Sequence, residues 1–390
     1  MNICIVIDNI FPSHGGIGKT TERFAELLTK RGHKITFLSS TEKFNKERFK
    51  VTEGFNVHRL RGLRIPFTHG IYYQAIPNKK FIRSVLEKEE IDVILITSYT
   101  LMRIGVERVA KKMKIPTVLA LHFQPENVTQ HIHMDIAPLR GILGWCVKHM
   151  CDRSKDVIVP SKFAQDVAES YGAVANFNVV SNGIDLKTFD KLKVEKDYFR
   201  KKFKLGKKRY FLSVGRLMPE KNLGTLLESV SLIDYSKKEN SDLITVIVGG
   251  GNSEKGLKKK AEKLGILDHV IFTGKVDDKS LKSAFKGCEL FVLPSFVELE
   301  GIVVLEAMAM GSAVLVSSSK KSASPYLVKG NGKLFDPCDP QEMAEKMVSM
   351  VNDKKGLAKM KKTSDRLIKN YQIEKSVDKV EKILKKLAKK

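Results

Sequence analysis

The sequence predicts an α/β protein built from two doubly wound, parallel-sheet domains. Short apolar runs of strand length alternate with helix-like stretches along the whole chain. At 390 residues the chain is too long for one ordinary core, so two domains are the natural division. A polar, lysine-rich stretch, Lys187–Lys208, interrupts the alternation near the middle and reads as the connection.

The strand-like runs fall into two sets. The first is Ile3–Ile7, Lys34–Ser39, Asp92–Ile96, Thr117–His122, Val157–Val159 and Val179–Val180. Helix-forming stretches lie between them, which is the pattern of parallel strands covered by helices on both faces. The break follows the turn Asn182-Gly183-Ile184-Asp185. The second set is Tyr210–Val214, Ile244–Val248, Val270–Phe272, Leu290–Leu293 and Ala313–Val316. In Phe335-Asp-Pro337-Cys-Asp339-Pro340, Asp339 or Pro340 is placed to start a helix. In the last segment, Val377, Val380, Leu384 and Leu387 form one helical stripe among lysines. The expected domains are 1–185 and 186–368, with a terminal helix over 369–390.

Composition narrows the class. Hydrophobic residues make up 42% of the chain, enough for two cores. No apolar run reaches the ~18 residues that span a bilayer. The chain opens directly as a strand, without a basic region followed by an apolar one, so no signal peptide is expected. The five cysteines (Cys4, Cys146, Cys151, Cys288, Cys338) are odd in number and scattered, as expected of reduced thiols in a cytoplasmic protein. The formal net charge is +25. Residues 1–190 hold 27 basic and 19 acidic side chains, so the second half carries most of the excess. From Gly54 to Leu86 there is no acid, while Arg59, Arg61, Arg64, Lys79, Lys80 and Arg83 are present among Phe67, Tyr72 and Tyr73. Basic residues interleaved with aromatics suit an anionic membrane surface. We therefore expect membrane contact through Arg59, Arg61, Arg64, Phe67, Tyr72 and Tyr73. No nucleic-acid motif accompanies the charge, and no nucleic-acid partner is expected.

Two segments carry the chemistry. In Glu298-Leu-Glu-Gly301-Ile-Val-Val-Leu-Glu306, a strand-like run and Pro294-Ser295 precede two carboxylates, and a helix-forming run follows Gly301. A helix starting there puts Glu306 about one turn in and leaves Glu298 in the loop before it. Its free N–H groups and positive dipole end suit a diphosphate, with Gly301, Ile302 and Val303 at the anion. Carboxylates at that place fit sugar and ribose hydroxyls, which donate in pairs. In Ser213-Val-Gly215-Arg216-Leu-Met-Pro-Glu220-Lys221, Arg216 and Lys221 follow another strand, where two cations can hold phosphates.

Together these segments, G-R-x-x-x-x-K and E-x7-E in that order, resemble the donor site of the family 4 retaining glycosyltransferases. The resemblance covers nearly the whole chain. It implies the GT-B fold, with two Rossmann-like domains facing a cleft, and a terminal helix that crosses back onto the N-terminal domain. One departure stands out: where the family often has an aromatic residue before the glycine matching Gly301, this chain has Glu300. Gly301-Ile-Val-Val-Leu-Glu306 with Gly274-Lys-Val-Asp-Asp278 is similar to the phosphatidylinositol mannosyltransferases, and enzymes acting on other lipids or polysaccharides share the pattern.

The first loop is ambiguous. His14-Gly15-Gly16-Ile17-Gly18-Lys19-Thr20-Thr21 nearly matches a deviant P-loop, K-G-G-x-G-K-T. The leading lysine is replaced by His14, and Asp92-Val-Ile-Leu-Ile-Thr97 ends in threonine where a metal-binding aspartate is wanted. Pro12-Ser-His-Gly15-Gly16 instead resembles the family's Pro-x-x-Gly-Gly loop, which gives Gly15 and Gly16 a donor-facing role. The resemblance also places His122, in His122-Phe-Gln124-Pro-Glu126-Asn127, near the donor sugar, and sets Val276 and Asp278 against the nucleobase. The tetrapeptide Asn182–Asp185 stands beside the cleft in the family. His131 and His133 have no third ligand at metal spacing, so no metal site is expected.

The expected activity is transfer of a hexose, with retention, from a UDP- or GDP-linked sugar to a membrane lipid or glycan precursor. Arg216, Lys221, Glu298 and His122 are the expected catalytic residues. Gly15, Gly16, Val276, Asp278, Gly301, Ile302, Val303 and Glu306 are the expected donor contacts. The nucleotide sugar is a co-substrate, and no cofactor or metal is expected. The expected location is the cytoplasm, peripheral on the inner face of the membrane. The alternatives are a GT-B sugar-nucleotide epimerase and a P-loop ATPase.

Overall fold

The computed structural model describes residues 1–8, 10, 15–41, 49–52, 54–64, 73–126, 129 and 136–389. The chain divides into two compact units. The first comprises Met1–Gln124, Gly141–Asn182 and Ile373–Lys390; the second comprises Pro125–Arg140 and Gly183–Gln372.

The chain begins with β1 (Asn2–Val6), α1 (Gly15–Lys30), β2 (Lys34–Thr41), β3 (Phe49–Thr52), β4 (Phe55–Arg64) and β5 (Tyr73–Ala75). It continues with α2 (Lys79–Lys88), β6 (Val93–Ile96), α3 (Leu101–Met113), β7 (Thr117–Ala120), α4 (Ala137–Asp152), β8 (Asp156–Val159), α5 (Lys162–Ser170) and β9 (Asn176–Val179). The strands form one sheet in the order β3-β4-β2-β1-β6-β7-β8-β9, with β5 on β4. All neighbours are parallel except β3 and β5, which run antiparallel to β4. The central strands are buried along their length, which is why they read as unbroken apolar runs.

The second unit follows with α6 (Tyr198–Lys202), β10 (Arg209–Val214), α7 (Leu223–Ser231), β11 (Leu243–Val248), α8 (Glu254–Lys263), β12 (Val270–Gly274) and α9 (Asp278–Gly287). Then come β13 (Leu290–Leu293), α10 (Ile302–Ala309), β14 (Ala313–Ser317), β15 (Gly332–Phe335), α11 (Pro340–Asn352) and α12 (Lys354–Leu367). Its sheet is wholly parallel, in the order β12-β11-β10-β13-β14-β15. Successive side chains point to opposite faces and build two cores. Phe211, Ile247, Leu290, Val292 and Leu315 pack with α7, α8 and α11 on one face. Leu212, Val246, Phe291, Leu293 and Val314 pack with α9 and α10 on the other. Asp339 caps α11 by accepting from the Glu342 N–H at 2.9 Å, with Pro340 at its first position.

The last helix, α13 (Ile373–Ala388), belongs to the first unit. Its stripe of Val377, Val380, Leu384 and Leu387 is buried in one core with Ile3, Ile5, Leu28 and Ile35. Arg31 pairs with Asp378 at 2.6 Å and with Glu381 at 2.7 Å, and His33 meets Glu381 at 3.0 Å.

The stretch read as a membrane-facing patch is folded differently. It contains β4, β5 and part of α2, none of which the apolar pattern marked. Arg59 is buried in β4, and its guanidinium donates to the Ile10 carbonyl at 3.2 Å. It therefore cannot serve as a membrane contact. Arg61, two residues on, faces outward. Phe67 and Tyr72, with the side chains of Arg64 and Tyr73, lie outside the described residues. So do Pro12–His14, Asn127, His131 and His133. Among the described residues no helix is long and apolar enough to cross a membrane.

Candidate active site

The second sheet grows outward from β10 through β11 and β12, then returns to add β13, β14 and β15 on the other side. Its switch point lies between β10 and β13, where the loops after the two strands diverge and ligands of such sheets bind. A pocket opens there, lined by Val214, Gly215, Arg216, Lys221, Pro294 and Ser295 among others.

The loop after β10 is held by backbone packing. Gly249 has φ 136, and a Cβ on it would lie 1.8 Å from the Gly215 carbonyl oxygen. A Cβ on Gly251 would lie 2.4 Å from the Leu217 carbonyl oxygen. The glycine run after β11 thus lets the Arg216 loop sit against it. Sequence reasoning passed over this run, although three glycines after an apolar strand are themselves a signal of close approach.

A short 3-10 turn, Pro219–Lys221, follows, and Asn222 leaves it with φ 51. The Asn222 side chain donates to the Pro337 carbonyl at 2.8 Å, which fixes the turn that presents Lys221. The Lys221 ammonium donates to Glu298 Oε1 at 2.7 Å, with both side chains largely buried. The Phe296 N–H also donates to the Glu220 carbonyl at 2.9 Å, so main chain and side chain both tie the β10 loop to the β13 loop.

Arg216 is different. Its side chain is 62% exposed and meets Glu220 only at 3.4 Å. Glu220 is buried, and its Oε2 has no hydrogen-bond partner. Glu220 is a second feature that the sequence left unmarked.

Gly301 caps α10 in the left-handed region, with φ 86. A Cβ there would lie 2.5 Å from the Ser324 Oγ, a buried hydroxyl with no partner. Ile302, Val303 and Glu306 share the half-exposed side of α10, while Val304, Leu305, Ala307 and Met308 are buried. Glu306 therefore lies one turn in from the helix start, on the half-exposed face of Ile302 and Val303. Glu298 is fixed from behind by the Ala323 N–H, which donates to its carbonyl at 2.7 Å. Glu300, the departure from the family pattern, is buried.

After β12, Val276 is half-buried against the core, and Asp278 is exposed at the first position of α9. The cap is the neighbouring Asp277, which accepts from the Ser280 N–H at 2.7 Å and pairs with Lys202 at 2.6 Å. In Asn182–Asp185, Asp185 accepts from the Thr188 hydroxyl at 2.6 Å, a turn-stabilising role.

In the first unit, Gly15 and Gly16 open α1. His122 follows β7 just past its carboxyl end, and burial pushes its imidazole down to about 4. The ring is neutral at physiological pH. Thr97, at the place where a P-loop ATPase would carry its metal aspartate, donates its hydroxyl to the Val6 carbonyl at 2.9 Å. Among the described residues no cluster of His, Cys, Asp and Glu could hold a metal ion.

Comparison with known proteins agrees with this architecture. The family described as Glycosyltransferase Family 4 matches residues 14–188, and that described as Glycosyl transferases group 1 matches 194–372. The chain belongs to glycosyltransferase family 4. It is a GT-B glycosyltransferase with two parallel-sheet α/β units. It is 24% identical over 339 residues to the alpha-monoglucosyldiacylglycerol synthase of Streptococcus pneumoniae, covering 84% of this chain and 72% of that one. Over 196 residues it is 29% identical to a GDP-mannose-dependent alpha-(1-6)-phosphatidylinositol monomannoside mannosyltransferase of Mycobacterium tuberculosis, covering about half of each. Among solved structures, HepE of Anabaena in complex with UDP superposes with a TM-score of 0.77 at 18% identity, covering 99% of this chain and all of that one. This likeness shows the fold.

Proposed function

We propose that this glycosyltransferase moves a hexose, with retention, from a UDP- or GDP-linked donor to a membrane lipid or glycan precursor. The observation that carries the donor assignment is the meeting of Lys221 and Glu298 at the switch point, beside the glycine-capped start of α10. A cation, a carboxylate and a helix N-terminus together match a sugar diphosphate: phosphate oxygens to the first and third, hydroxyls to the second.

In this reading the acceptor hydroxyl attacks the anomeric carbon on the face from which the diphosphate leaves. The bond to the phosphate oxygen breaks, and that oxygen takes the hydroxyl proton. Arg216 and Lys221 neutralise the growing charge, each worth about 3–4 kcal/mol by analogy with other preorganised donors. Glu298 orients the sugar through a hydroxyl, and Glu306 accepts from the ribose. Gly301, Ile302 and Val303 face the diphosphate, and Val276 and Asp278 flank the base. Gly15, Gly16 and neutral His122 are assigned to substrate from the first unit. No metal is required, because the two cations take its place.

The lipid acceptor is supported by the names of the two relatives, both of which act on lipids. Net charge of +25 is compatible with a peripheral location on an anionic cytoplasmic surface. The test is a panel of UDP- and GDP-hexoses offered with diacylglycerol or phosphatidylinositol vesicles. Transfer with retained configuration is expected. Inverted product, or an epimerised nucleotide sugar formed without acceptor, overturns the reading.

A further inference from the structure

The first sheet has its own switch point, between β1 and β6. Three loops meet at the carboxyl ends there. Asp8 follows β1, Tyr99 follows β6 and His122 follows β7. Asp8 Oδ1 accepts from the Ser98 hydroxyl at 2.5 Å and the Thr100 hydroxyl at 2.6 Å. Its Oδ2 accepts from the Tyr99 N–H at 3.2 Å. The Tyr99 hydroxyl donates to the Ala120 carbonyl at 3.2 Å and accepts from the His122 N–H at 2.7 Å. The Tyr99 ring lies against Phe123, with centroids 5.7 Å apart.

One phenol oxygen therefore grips the main chain on both sides of Leu121, where the backbone turns His122 out of β7. Tyr99 is half-buried, and desolvation holds its phenol above the usual range, so the hydroxyl stays protonated and keeps its donor for Ala120. The clamp matters because, among the described residues, the His122 ring itself makes no hydrogen bond. The main-chain geometry that the clamp fixes therefore bears directly on where the ring points. A catalytic group misplaced by ~1 Å can cost ~10²-fold in rate.

We propose that Tyr99 is a positioning residue for His122, and that Asp8, with Ser98 and Thr100, holds Tyr99 in place. The inference rests on the transferase reading, in which His122 meets substrate. It adds Tyr99 and its supports Asp8, Ser98 and Thr100, none of which the sequence motifs marked.

The test is a double-mutant cycle on the full chain. Tyr99→Phe keeps the ring against Phe123 and removes only the hydroxyl. It is expected to lower kcat about tenfold, leave the donor KM unchanged, and have no further effect in a His122→Ala background. Asp8→Asn is the second variant, expected to act in the same direction and to lose its effect in the same background. The His122 imidazole resonances, followed by NMR in labelled protein, are expected to move in both single variants. An equal loss of kcat in the presence and absence of His122 would show that the hydroxyl acts independently of it and overturn the proposal. So would wild-type kcat with unmoved His122 resonances. If wild-type protein transfers no sugar from any nucleotide donor, the transferase reading falls. The NMR result then decides the positioning by itself.

Discussion

The Lys221 ammonium and the Glu298 carboxylate, contributed by loops after two different strands, lie 2.7 Å apart at the switch point of the second sheet. Each neutralises the other. Donor binding must therefore recruit a cation that already has a partner. Glu298→Gln keeps the shape and removes the charge. The expected result is a ~10²-fold loss of kcat together with ~5-fold tighter binding of free UDP or GDP, equivalent to about 1 kcal/mol. Weaker nucleotide binding in this variant, measured by calorimetry, would mean that Glu298 does not compete with the diphosphate for Lys221.

Arg216 and Glu306 are expected to fail in different kinetic parameters. Arg216 is exposed and meets the buried Glu220 only at 3.4 Å. Arg216→Ala should lower kcat by ~10²-fold, because the leaving charge grows only in the transition state. Glu306→Ala should raise the donor KM with kcat nearly unchanged, because ribose contacts persist from ground state to transition state. Steady-state kinetics on both variants check this. A kcat defect alone for Glu306→Ala contradicts its ribose role.

Chelation provides a separate check. Transfer should continue in excess EDTA, since Arg216 and Lys221 are assigned the work that a divalent ion does elsewhere. Loss of transfer with EDTA and recovery with magnesium or manganese would refute that assignment.

Burial lowers the folded-state pKa of His122 to about 4, from an ordinary value near 6.5. Between these values the unfolded chain binds a proton that the folded chain does not, so stability should fall as pH drops from ~6.5 to ~4. The loss from this group has an upper limit of about 3 kcal/mol. His122→Asn should remove this component of the pH dependence. Asp8, whose carboxyl is pushed up mainly by its own burial, is common to both proteins and cancels in the difference. Denaturant midpoints measured across pH 4–7 check the sign. Parallel curves for wild type and variant would show that the ring is solvated.

Arg59 and Arg61 separate packing from surface charge. Arg59→Ser should destabilise the fold by ~1–3 kcal/mol, because it leaves the buried Ile10 carbonyl without its guanidinium. It should leave vesicle binding unchanged. Arg61→Ser should leave stability nearly unchanged and weaken binding to anionic vesicles in a salt-dependent way. Co-sedimentation at two ionic strengths reads the difference. Vesicle binding that is insensitive to Arg61 would remove β4 from any membrane-facing surface.

The two-sheet α/β plan was legible in the amino-acid pattern, and so were the two segments proposed to hold the donor. Runs such as Leu290–Leu293 are apolar because both faces of a central parallel strand are covered, and that is a local signal. The helix start at Gly301 was legible for the same reason: the glycine, the apolar run and Glu306 lie within a few turns of one another. Tertiary structure alone decided the pairings. Nothing near Lys221 announces Glu298, and nothing near His122 announces Tyr99, because each contact joins loops that only the strand order brings together. The same holds for Arg59. Its basic, aromatic-rich surroundings read as a surface, yet β4 lies between β2 and β3, and the side chain is buried, bonded to the Ile10 carbonyl. Local pattern reports which residue types a segment can bury; which segments become neighbours depends on long-range strand pairing, a property of the folded sheet.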